Sequence, residues 1–353
     1  MERAQKPEGI VVTTARRNLD RDEVLADYHD SFSVYPEVEK VLSGLEWIIK
    51  RRKFGTFAPS MLLTAGTGAG KTATINHFIE KNLSRNEVLI TRVKPSLLET
   101  LLWMAKELGA YRNSRAKPSE IGLTDCVIET SKRVGLKLLV IEECQELFER
   151  TSHNQRQDIR DRLKMISDEC HLPIVFVGLH SAGLILEDSQ WNRRIMVRRT
   201  LPYIKITDES AIDNYLDVLQ ALEKTVPLPF KVPLTDVDFA MRLLSASKGI
   251  LGEIKELIAA ALEVTLEKNK DCIDEEDFAA VYEKINDPND INPFTVQIDA
   301  LTIEQIASYE GSGPAAKKKK LDGSGNYVTD AETGELRFVK QVFSKLSIQQ
   351  LVG

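Results

Sequence analysis

The chain has 353 residues, of which 42% are hydrophobic and 28% are charged, proportions typical of a globular protein and not of a disordered one. Its 53 acidic residues outnumber the 47 basic ones, and the net charge of -6 argues against a simple basic nucleic-acid binder. The sequence has no apolar run near the ~20 residues of a membrane span, no secretory signal and no CxxC pair, so we expect a soluble protein without membrane partner, disulfide framework or zinc site.

The pattern of apolar residues predicts an α/β domain over residues 36–206. Helical spacing begins at 36–53, after a polar N-terminal arm (1–35) that we expect to be irregular. Short apolar runs then alternate with helix-length segments, which is typical of a mostly parallel sheet with helices on both faces. The predicted strands are 61–65, 88–93, 138–141, 174–177 and, more weakly, 201–206.

A glycine-rich segment, AGTGAGKT (65–72), connects the first predicted strand to the next helix. Glycines let the backbone N–H groups turn towards phosphate oxygens, and the following helix N-terminus favours an anion. We expect Lys71 to reach the outer phosphates of ATP and the Thr72 hydroxyl to bind Mg²⁺. The predicted nucleotide-binding residues are Gly66, Thr67, Gly68, Ala69, Gly70, Lys71, Thr72 and Ala73.

Two carboxylates, Glu142 and Glu143, end the predicted strand at 138–141. Successive strand residues face opposite ways, so we expect Glu142 to face the magnesium and Glu143 to orient the attacking water. Aspartate is commoner at the first position, and the longer Glu142 predicts shifted metal positioning and slower hydrolysis. Two exposed acids at a strand end are the alternative. Since another strand (88–93) lies between the two motifs, we expect a strand to separate the loop strand from the acidic strand in the sheet.

The predicted strand at 174–177 is followed by His180 and Ser181, either of which is a candidate sensor of the γ-phosphate, although a simple turn is equally compatible with the sequence. Residues 207–290 carry no strand signal. Amphipathic helices at about 208–223, 235–247, 250–268 and 274–285 predict a small helical lid domain there.

These motifs resemble those of the AAA+ ATPases, and within them the transposon target-selection ATPases of the TnsC/TniB type, over roughly residues 35–290. The resemblance rests on AGTGAGKT, LLVIEE, PIVFVGLHSAGLILEDSQWNRR and ASKGILGEIKELIAAALE. The layout, with a short lid and a long C-terminal tail, is most similar to the TnsC proteins of type I-F CRISPR-associated transposons. It implies an AAA+ P-loop NTPase fold, a parallel sheet sandwiched by helices, with an α-helical lid and a C-terminal tail.

The resemblance also implies an activity and partners. Such proteins hydrolyse ATP to ADP and phosphate with Mg²⁺ in the bacterial cytoplasm, and they assemble as homo-oligomeric rings or helical filaments on double-stranded DNA. Further implied partners are the transposase subunits TnsA and TnsB and the TniQ adaptor with its CRISPR effector. One subunit of the assembly offers an arginine to the nucleotide of its neighbour, and Arg193 and Arg194 match that catalytic position. The usual lid arginine is replaced by Glu253, which leaves Lys255 as the nearest candidate sensor.

The charge distribution changes the first conclusion about nucleic acid. Residues 207–310 hold 22 acidic and 8 basic side chains, whereas residues 1–206 hold 32 basic and 27 acidic ones. A segregated charge of this kind indicates a phosphate-facing surface, although ordinary solvated helix faces are the alternative. The candidate DNA contacts are Lys94, Arg112, Arg115 and Lys117 on predicted loops, with Arg156 and Arg160 as second-rank candidates.

Residues 311–325 indicate an engineered insertion. Two identical GSG linkers flank PAAKKKKLD, which resembles a monopartite nuclear localisation signal and implies nuclear import in a eukaryotic host. A natural lysine-rich linker is the alternative. Residues 291–310 are predicted to be a linker. The tail, 326–353, has apolar residues that indicate docking onto a partner, or folding back onto the lid.

Two other functions stay open at this stage. A nucleotide-gated DNA-binding scaffold with little hydrolysis is favoured by Glu142 at the usual aspartate position. Another AAA+ role, such as a DNA-remodelling or replication-loader ATPase, is opposed by the later motifs and by the tail.

Overall fold

A computed structural model describes residues 21–111, 117–149, 152–312 and 338–347. Its centre is a five-stranded sheet in the order β2-β3-β4-β1-β5, in which all neighbouring strands are parallel. The strands are β1 (Ser60–Ala65), β2 (Val88–Arg92), β3 (Leu138–Glu142), β4 (Ile174–Gly178) and β5 (Ile195–Leu201).

Helices cover both faces of the sheet, as the continuous apolar strands predict. Side chains alternate between the faces, so that Leu62 belongs to one core while Met61 and Leu63 belong to the other. The first core is closed by α4, α5 and α7, and the second by α2 and α3. The helices of this part are α2 (Pro36–Arg51), α3 (Lys71–Asn82), α4 (Leu97–Glu107), α5 (Glu120–Val134), α6 (Glu146–Glu149), α7 (His153–Cys170) and α8 (Ser189–Arg194).

The loop strand β1 and the acidic strand β3 are separated by one strand, as expected. That strand is β4, whereas the strand between them in sequence, β2, lies at the edge. Because the strands are parallel, their carboxyl-terminal ends all lie at the same end of the sheet. The loop after β1, the carboxylates ending β3 and the turn after β4 therefore lie together there.

The prediction for the last strand is wrong. The strand is Ile195–Leu201, not 201–206. Among the described residues it pairs with β1 alone. The exposed Arg198 and Thr200 alternate with the buried Val197 and Leu201, as expected for a strand with one open face. Residues 202–206 begin with Pro202 and form no ladder, since proline has no N–H to donate.

The helical region predicted after residue 207 is present. Its helices pack around one core that includes Phe239, Leu243, Ile258 and Phe278. They are α9 (Glu209–Glu223), α10 (Val237–Ser247), α11 (Leu251–Glu267) and α12 (Glu275–Ile285). In the described ranges, no helix combines the length and apolar character needed to cross a bilayer.

The N-terminal arm is not wholly irregular, because residues Arg21–Asp30 form helix α1. Its Val24 and Tyr28 are buried in the core of the helical region. The chain then crosses to the sheet domain, where the Phe32 ring stacks on His77 of α3 with centroids 4.1 Å apart. This segment therefore touches both parts of the molecule.

Residues 291–310, predicted as a linker, instead pack on the helical region and enter a strand. Phe294 and Ile303 are buried in its core, and the Ser245 hydroxyl donates to the Thr302 carbonyl at 2.7 Å. Strand β6 (Thr302–Ser312) pairs antiparallel with β7 (Phe338–Ser347), so this part of the tail folds back on its own chain. The proposed import signal, 314–322, lies outside the described residues.

Candidate nucleotide-binding site

The glycine-rich loop has the backbone geometry of an anion cradle. Gly68 and Gly70 have φ values of +76° and +86°, a left-handed conformation that glycine adopts without a side-chain clash. Helix α3 begins directly after Gly70, so its N-terminal N–H groups face the loop. The sequence predicted this arrangement from glycine spacing between a strand and a helix.

Lys71 lies folded over this loop. Its ammonium donates to the carbonyls of Ala65 at 3.1 Å and Gly66 at 2.8 Å. Burial lowers the pKa of Lys71, and the carboxylate of Glu143 opposes that shift. A partly buried cation next to the loop amides is suited to bind an anion.

Thr72 and Glu142 meet at the end of β3. The Thr72 hydroxyl donates to Glu142 Oε1 at 3.3 Å, while Arg92, from the neighbouring strand, lies 3.8 Å from Glu142 Oε2. A hydroxyl and a carboxylate are the hard oxygen ligands that Mg²⁺ takes from proteins, with phosphates and waters supplying the rest. These two side chains therefore fit the predicted magnesium site. The described residues hold no larger cluster of three or more potential metal ligands.

Glu143 is held by a residue that sequence reasoning missed. Glu143 has a left-handed backbone, with φ of +50°, and its Oε2 accepts from the amide of Gln145 at 2.5 Å. The amide oxygen of Gln145 accepts from the backbone N–H of Leu179 at 3.0 Å. Nothing in the sequence distinguishes this glutamine, because its role depends on the approach of β4 to the end of β3.

The turn after β4 brings His180 close to the phosphate loop. Burial lowers the pKa of the His180 imidazole, and the positive charge of Lys71 lowers it further. The role of His180 as a γ-phosphate sensor stays a prediction. Ser181, the other candidate, is buried in the first turn of a 3-10 helix (His180–Glu187).

The start of the lid helix α11 packs directly on the loop. The N–H of Gly252 donates to the carbonyl of Gly68 at 2.9 Å, and a Cβ on Gly252 would stand 2.9 Å from the same oxygen. Gly249, with φ of +75°, approaches the backbone of Ile204 and accepts from its N–H at 2.9 Å. The Tyr203 hydroxyl donates to the Thr67 carbonyl at 2.5 Å. The lid and the loop are thus joined through backbone atoms, which side-chain motifs do not report.

A cavity of about 300 Å³ adjoins this contact. It opens between the segment before α2, the strand end after β5 and helix α9, and its wall includes Tyr35, Tyr203, Ile204, Tyr215 and Leu251. Leu251 also faces the loop, since a Cβ on Gly70 would stand 3.9 Å from Leu251 Cδ2. Aromatic and aliphatic walls next to a phosphate cradle suit a flat nucleobase.

The family model for the bacterial TniB protein matches residues 25–204, half of the chain. The chain belongs to the TniB family. No curated protein matches it.

Solved structures place the TniB chain in the AAA+ P-loop NTPase fold, which confirms the predicted fold class. The Aeropyrum pernix ORC2 protein, solved in ADPNP and ADP complexes, has a TM-score of 0.55 at 13% identity, covering 77% of this chain and 75% of that one. The Pyrobaculum aerophilum CDC6P protein has a TM-score of 0.54 at 15% identity, with 73% and 70% covered. The Aeropyrum pernix ORC1 protein, solved with DNA, has a TM-score of 0.53 at 18% identity, with 74% and 68% covered.

The two candidate trans-acting arginines of this TniB protein differ in environment. Arg194 is buried and donates both Nη atoms to the carboxylate of Asp168, at 2.6 and 2.8 Å. Arg193 is exposed and lies 5.9 Å from the centroid of the Phe57 ring. Arg194 is therefore a structural residue, which corrects the prediction that both arginines are catalytic.

Lys255 does not support the lid-sensor prediction. Its ammonium donates to the carbonyls of His29 at 2.9 Å and Ser31 at 2.6 Å, and it lies over the Tyr28 ring. These contacts hold the chain just after α1, so Lys255 anchors the N-terminal segment to the helical region. The prediction of a sensor role is corrected accordingly.

The candidate DNA contacts of the TniB chain also divide. Lys94 lies in the turn after β2, 4.2 Å from the centroid of the half-exposed Trp103 ring, and Lys117 is exposed before α5. Arg112 and Arg115 lie outside the described residues.

Arg156 and Arg160 lie on α7, not on loops. Arg156 is partly buried over the Phe148 ring and donates to the Phe148 carbonyl at 3.1 Å. Arg160, only 11% exposed, pairs with Asp188 at 3.4 Å. Both guanidinium groups are held inside the fold, which corrects their prediction as DNA contacts.

Proposed function

We propose that this TniB-family protein is an ATPase that regulates DNA transposition. It hydrolyses ATP to ADP and phosphate, oligomerises on target duplex DNA, and links a TniQ adaptor with a CRISPR effector to the transposase subunits TnsA and TnsB, as in type I-F systems. One observation carries the proposal. In a chain of the TniB family, the phosphate loop with Lys71, the Thr72–Glu142 pair and Glu143 lie together at the carboxyl-terminal end of the sheet.

The chemistry follows from this arrangement. Lys71 exchanges its loop carbonyls for the outer phosphates, and Thr72 with Glu142 would hold Mg²⁺, which neutralises phosphate charge when bound. Glu143 orients the attacking water. Tyr35 and Tyr203 contribute to the wall that takes the nucleobase. The exposed Arg193 acts on the nucleotide of a neighbouring subunit, where its always-charged fork suits phosphate oxygens.

Duplex DNA is contacted through phosphates and without base readout. Lys94 and Lys117 are the described candidates, with Arg112 and Arg115 between them in sequence. The Aeropyrum pernix ORC1 protein, which has a similar fold, is solved in complex with DNA.

Lys71→Ala is expected to abolish ATP-dependent assembly on DNA, because the outer phosphates lose their cation. Glu143→Gln is expected to permit assembly while stopping turnover. Electron microscopy and sedimentation with ATP, Mg²⁺ and duplex DNA measure assembly, and phosphate release measures turnover. Lys81→Ala, an exposed lysine at the end of the same helix α3, is the matched control. Unchanged assembly by Lys71→Ala would contradict nucleotide gating.

A nucleotide-gated scaffold with little hydrolysis is the second candidate. The longer Glu142 and the Arg92 guanidinium 3.8 Å from its Oε2 favour it, because this cation competes with Mg²⁺ for the carboxylate. Phosphate release with and without duplex DNA separates the two functions. Turnover that stays at background while DNA assembly depends on ATP would favour the scaffold.

We further propose that 311–325 is an added import signal and that 326–353 includes a transposase-binding segment. Fusion to a fluorescent protein in eukaryotic cells tests the first proposal, with the four lysines of 317–320 changed to alanine. Nuclear accumulation by both forms would contradict it. Natively the protein acts in the bacterial cytoplasm.

A further inference from the structure

Gln145 is a buried polar side chain between the two parts of the site that act on water and on phosphate. It is 4% exposed and lies one turn after the end of β3. Both ends of its amide are used: the nitrogen donates to Glu143 Oε2 at 2.5 Å, and the oxygen accepts from Leu179 N–H at 3.0 Å. One side chain thus connects the acidic strand to the turn that carries His180.

The surroundings leave Gln145 little freedom. A Cβ on Gly178 would stand 2.4 Å from Gln145 Oε1, so the glycine at the end of β4 makes room for the amide. The N–H of Cys144 donates to the Val177 carbonyl at 2.9 Å, which ties the same turn to β4. The left-handed backbone of Glu143 persists only where neighbours determine it, and these bonds supply that constraint.

We propose that Gln145 is the positioning residue for Glu143, and that it makes the orientation of this carboxylate depend on the turn after β4. The inference rests on the proposed hydrolysis of ATP. The amide engages Oε2 of Glu143 and leaves Oε1 to accept from the attacking water. Because Leu179 directly precedes His180, a movement of the turn after β4 reaches Glu143 through a single hydrogen-bonded side chain.

Two variants of Gln145 test the two hydrogen bonds of its side-chain amide. Gln145→Met keeps the length of the side chain and removes both hydrogen bonds. Gln145→Glu keeps an oxygen that accepts from Leu179 N–H and replaces the donor to Glu143 by a second carboxylate, which repels Glu143 when ionised. Gln220→Met, an exposed glutamine on α9, is the matched control. ATP hydrolysis in the presence of duplex DNA is measured for each protein, together with nucleotide affinity and thermal unfolding.

A positioning role predicts that both Gln145 variants lower kcat by about 10- to 100-fold, because the carboxylate is no longer held in its productive orientation. KM and nucleotide affinity are expected to stay within twofold of the Gln220→Met control, since Lys71 and the loop are untouched. The melting temperature is expected to stay within a few degrees of that control.

Three other results would overturn the inference in different ways. Unchanged kcat in both variants, with an active wild type, contradicts the positioning role alone. Loss of nucleotide affinity and melting temperature in parallel with kcat makes Gln145 a structural residue. A wild-type protein without turnover contradicts the proposed hydrolysis itself, and the positioning role with it.

Discussion

Arg193 and Arg194 are adjacent residues of the short helix α8, but only one of them is exposed. Arg193 and Arg194 are separated by about 100° around α8, so they face different surroundings. Both guanidinium groups lie near the Phe57 ring, but Arg194 is buried in a bidentate pair with Asp168, whereas Arg193 is exposed. A side chain available to a second subunit must be exposed in the first, and of the two only Arg193 meets that condition.

Arg194→Ala is expected to lower the free energy of unfolding by about 1–2 kcal/mol, because the packing of the buried Arg194 side chain and its pair with the partly exposed Asp168 are both lost. Arg193→Ala is expected to leave stability unchanged and to lower DNA-dependent hydrolysis by about 10³-fold. Urea denaturation and phosphate release measure the two effects. Full turnover by Arg193→Ala would contradict its action on a neighbouring nucleotide.

At the residue scale, the sequence predicted the side chains whose chemistry is fixed by a local motif. Lys71, Thr72, Glu142 and Glu143 follow from a loop and a strand end. Gln145 does not, because its two partners come from β3 and β4, which are distant in sequence. The sequence predicts a sensor role for Lys255 because it is the nearest cation to Glu253, but its ammonium is bound by the His29 and Ser31 carbonyls.

The lid helix α11 shows why glycines recur at its start. Gly249 and Gly252 lie where the backbone meets Ile204 and Gly68, and any side chain there would collide with a carbonyl oxygen. The backbone approach joins the helical region to the phosphate loop.

The N-terminus of α12 is stabilised by a buried carboxylate, Asp277. Burial alone would raise its pKa, but hydrogen bonds from Lys270, Lys268 and Thr265 outweigh burial and lower the pKa to about 2. Because the folded pKa lies below the ordinary 3.8, this contribution to stability is complete above about pH 4 and is lost as the pH falls through about 2.

Asp277→Asn is therefore expected to lower the free energy of unfolding at pH 7 by about 1–2 kcal/mol. This value allows for solvent, which screens the interaction of Asp277 with the half-exposed Lys268. The difference from the wild type should shrink between about pH 4 and pH 2. Denaturant titrations across this range measure it, with the exposed Asp271→Asn as control. A difference that stays constant with pH would contradict the assignment.

At the element scale, the sequence predicts the long periodic helices well, but it does not predict the edge strand β5, the N-terminal helix α1 or the pairing of β6 with β7. The four helices after residue 207 were predicted within a few residues, because each has a clear apolar face. The sequence does not predict strand β5 at its observed position, because Arg198 and Arg199 interrupt the apolar run there. Helix α1 was missed because only Val24 and Tyr28 are buried, and the pairing of β6 with β7 was missed because some 25 residues separate them.

For the whole molecule, the distribution of charge matters more than its sum. The acidic excess lies in the helical region, which contacts the phosphate loop at Gly252. The candidate DNA contacts lie on the sheet domain. Lys94 follows β2 and Lys117 precedes α5, so both belong to one side of the sheet, closed by α4 and α5. A net charge of -6 for the whole chain therefore does not exclude DNA binding by the sheet domain.

This separation predicts how DNA binding depends on salt. Neutralising a phosphate releases condensed cations, so log K falls with log salt concentration by about 0.9 for each contact. The double variant Lys94→Gln/Lys117→Gln is expected to reduce the slope by about 2 per bound subunit, equally for all duplex sequences. Lys224→Gln/Lys284→Gln removes the same charge from the acidic helical region and should leave the slope unchanged. Titrations from low to physiological salt with ATP measure both, and equal slopes for the two variants would exclude Lys94 and Lys117 from the DNA-binding surface.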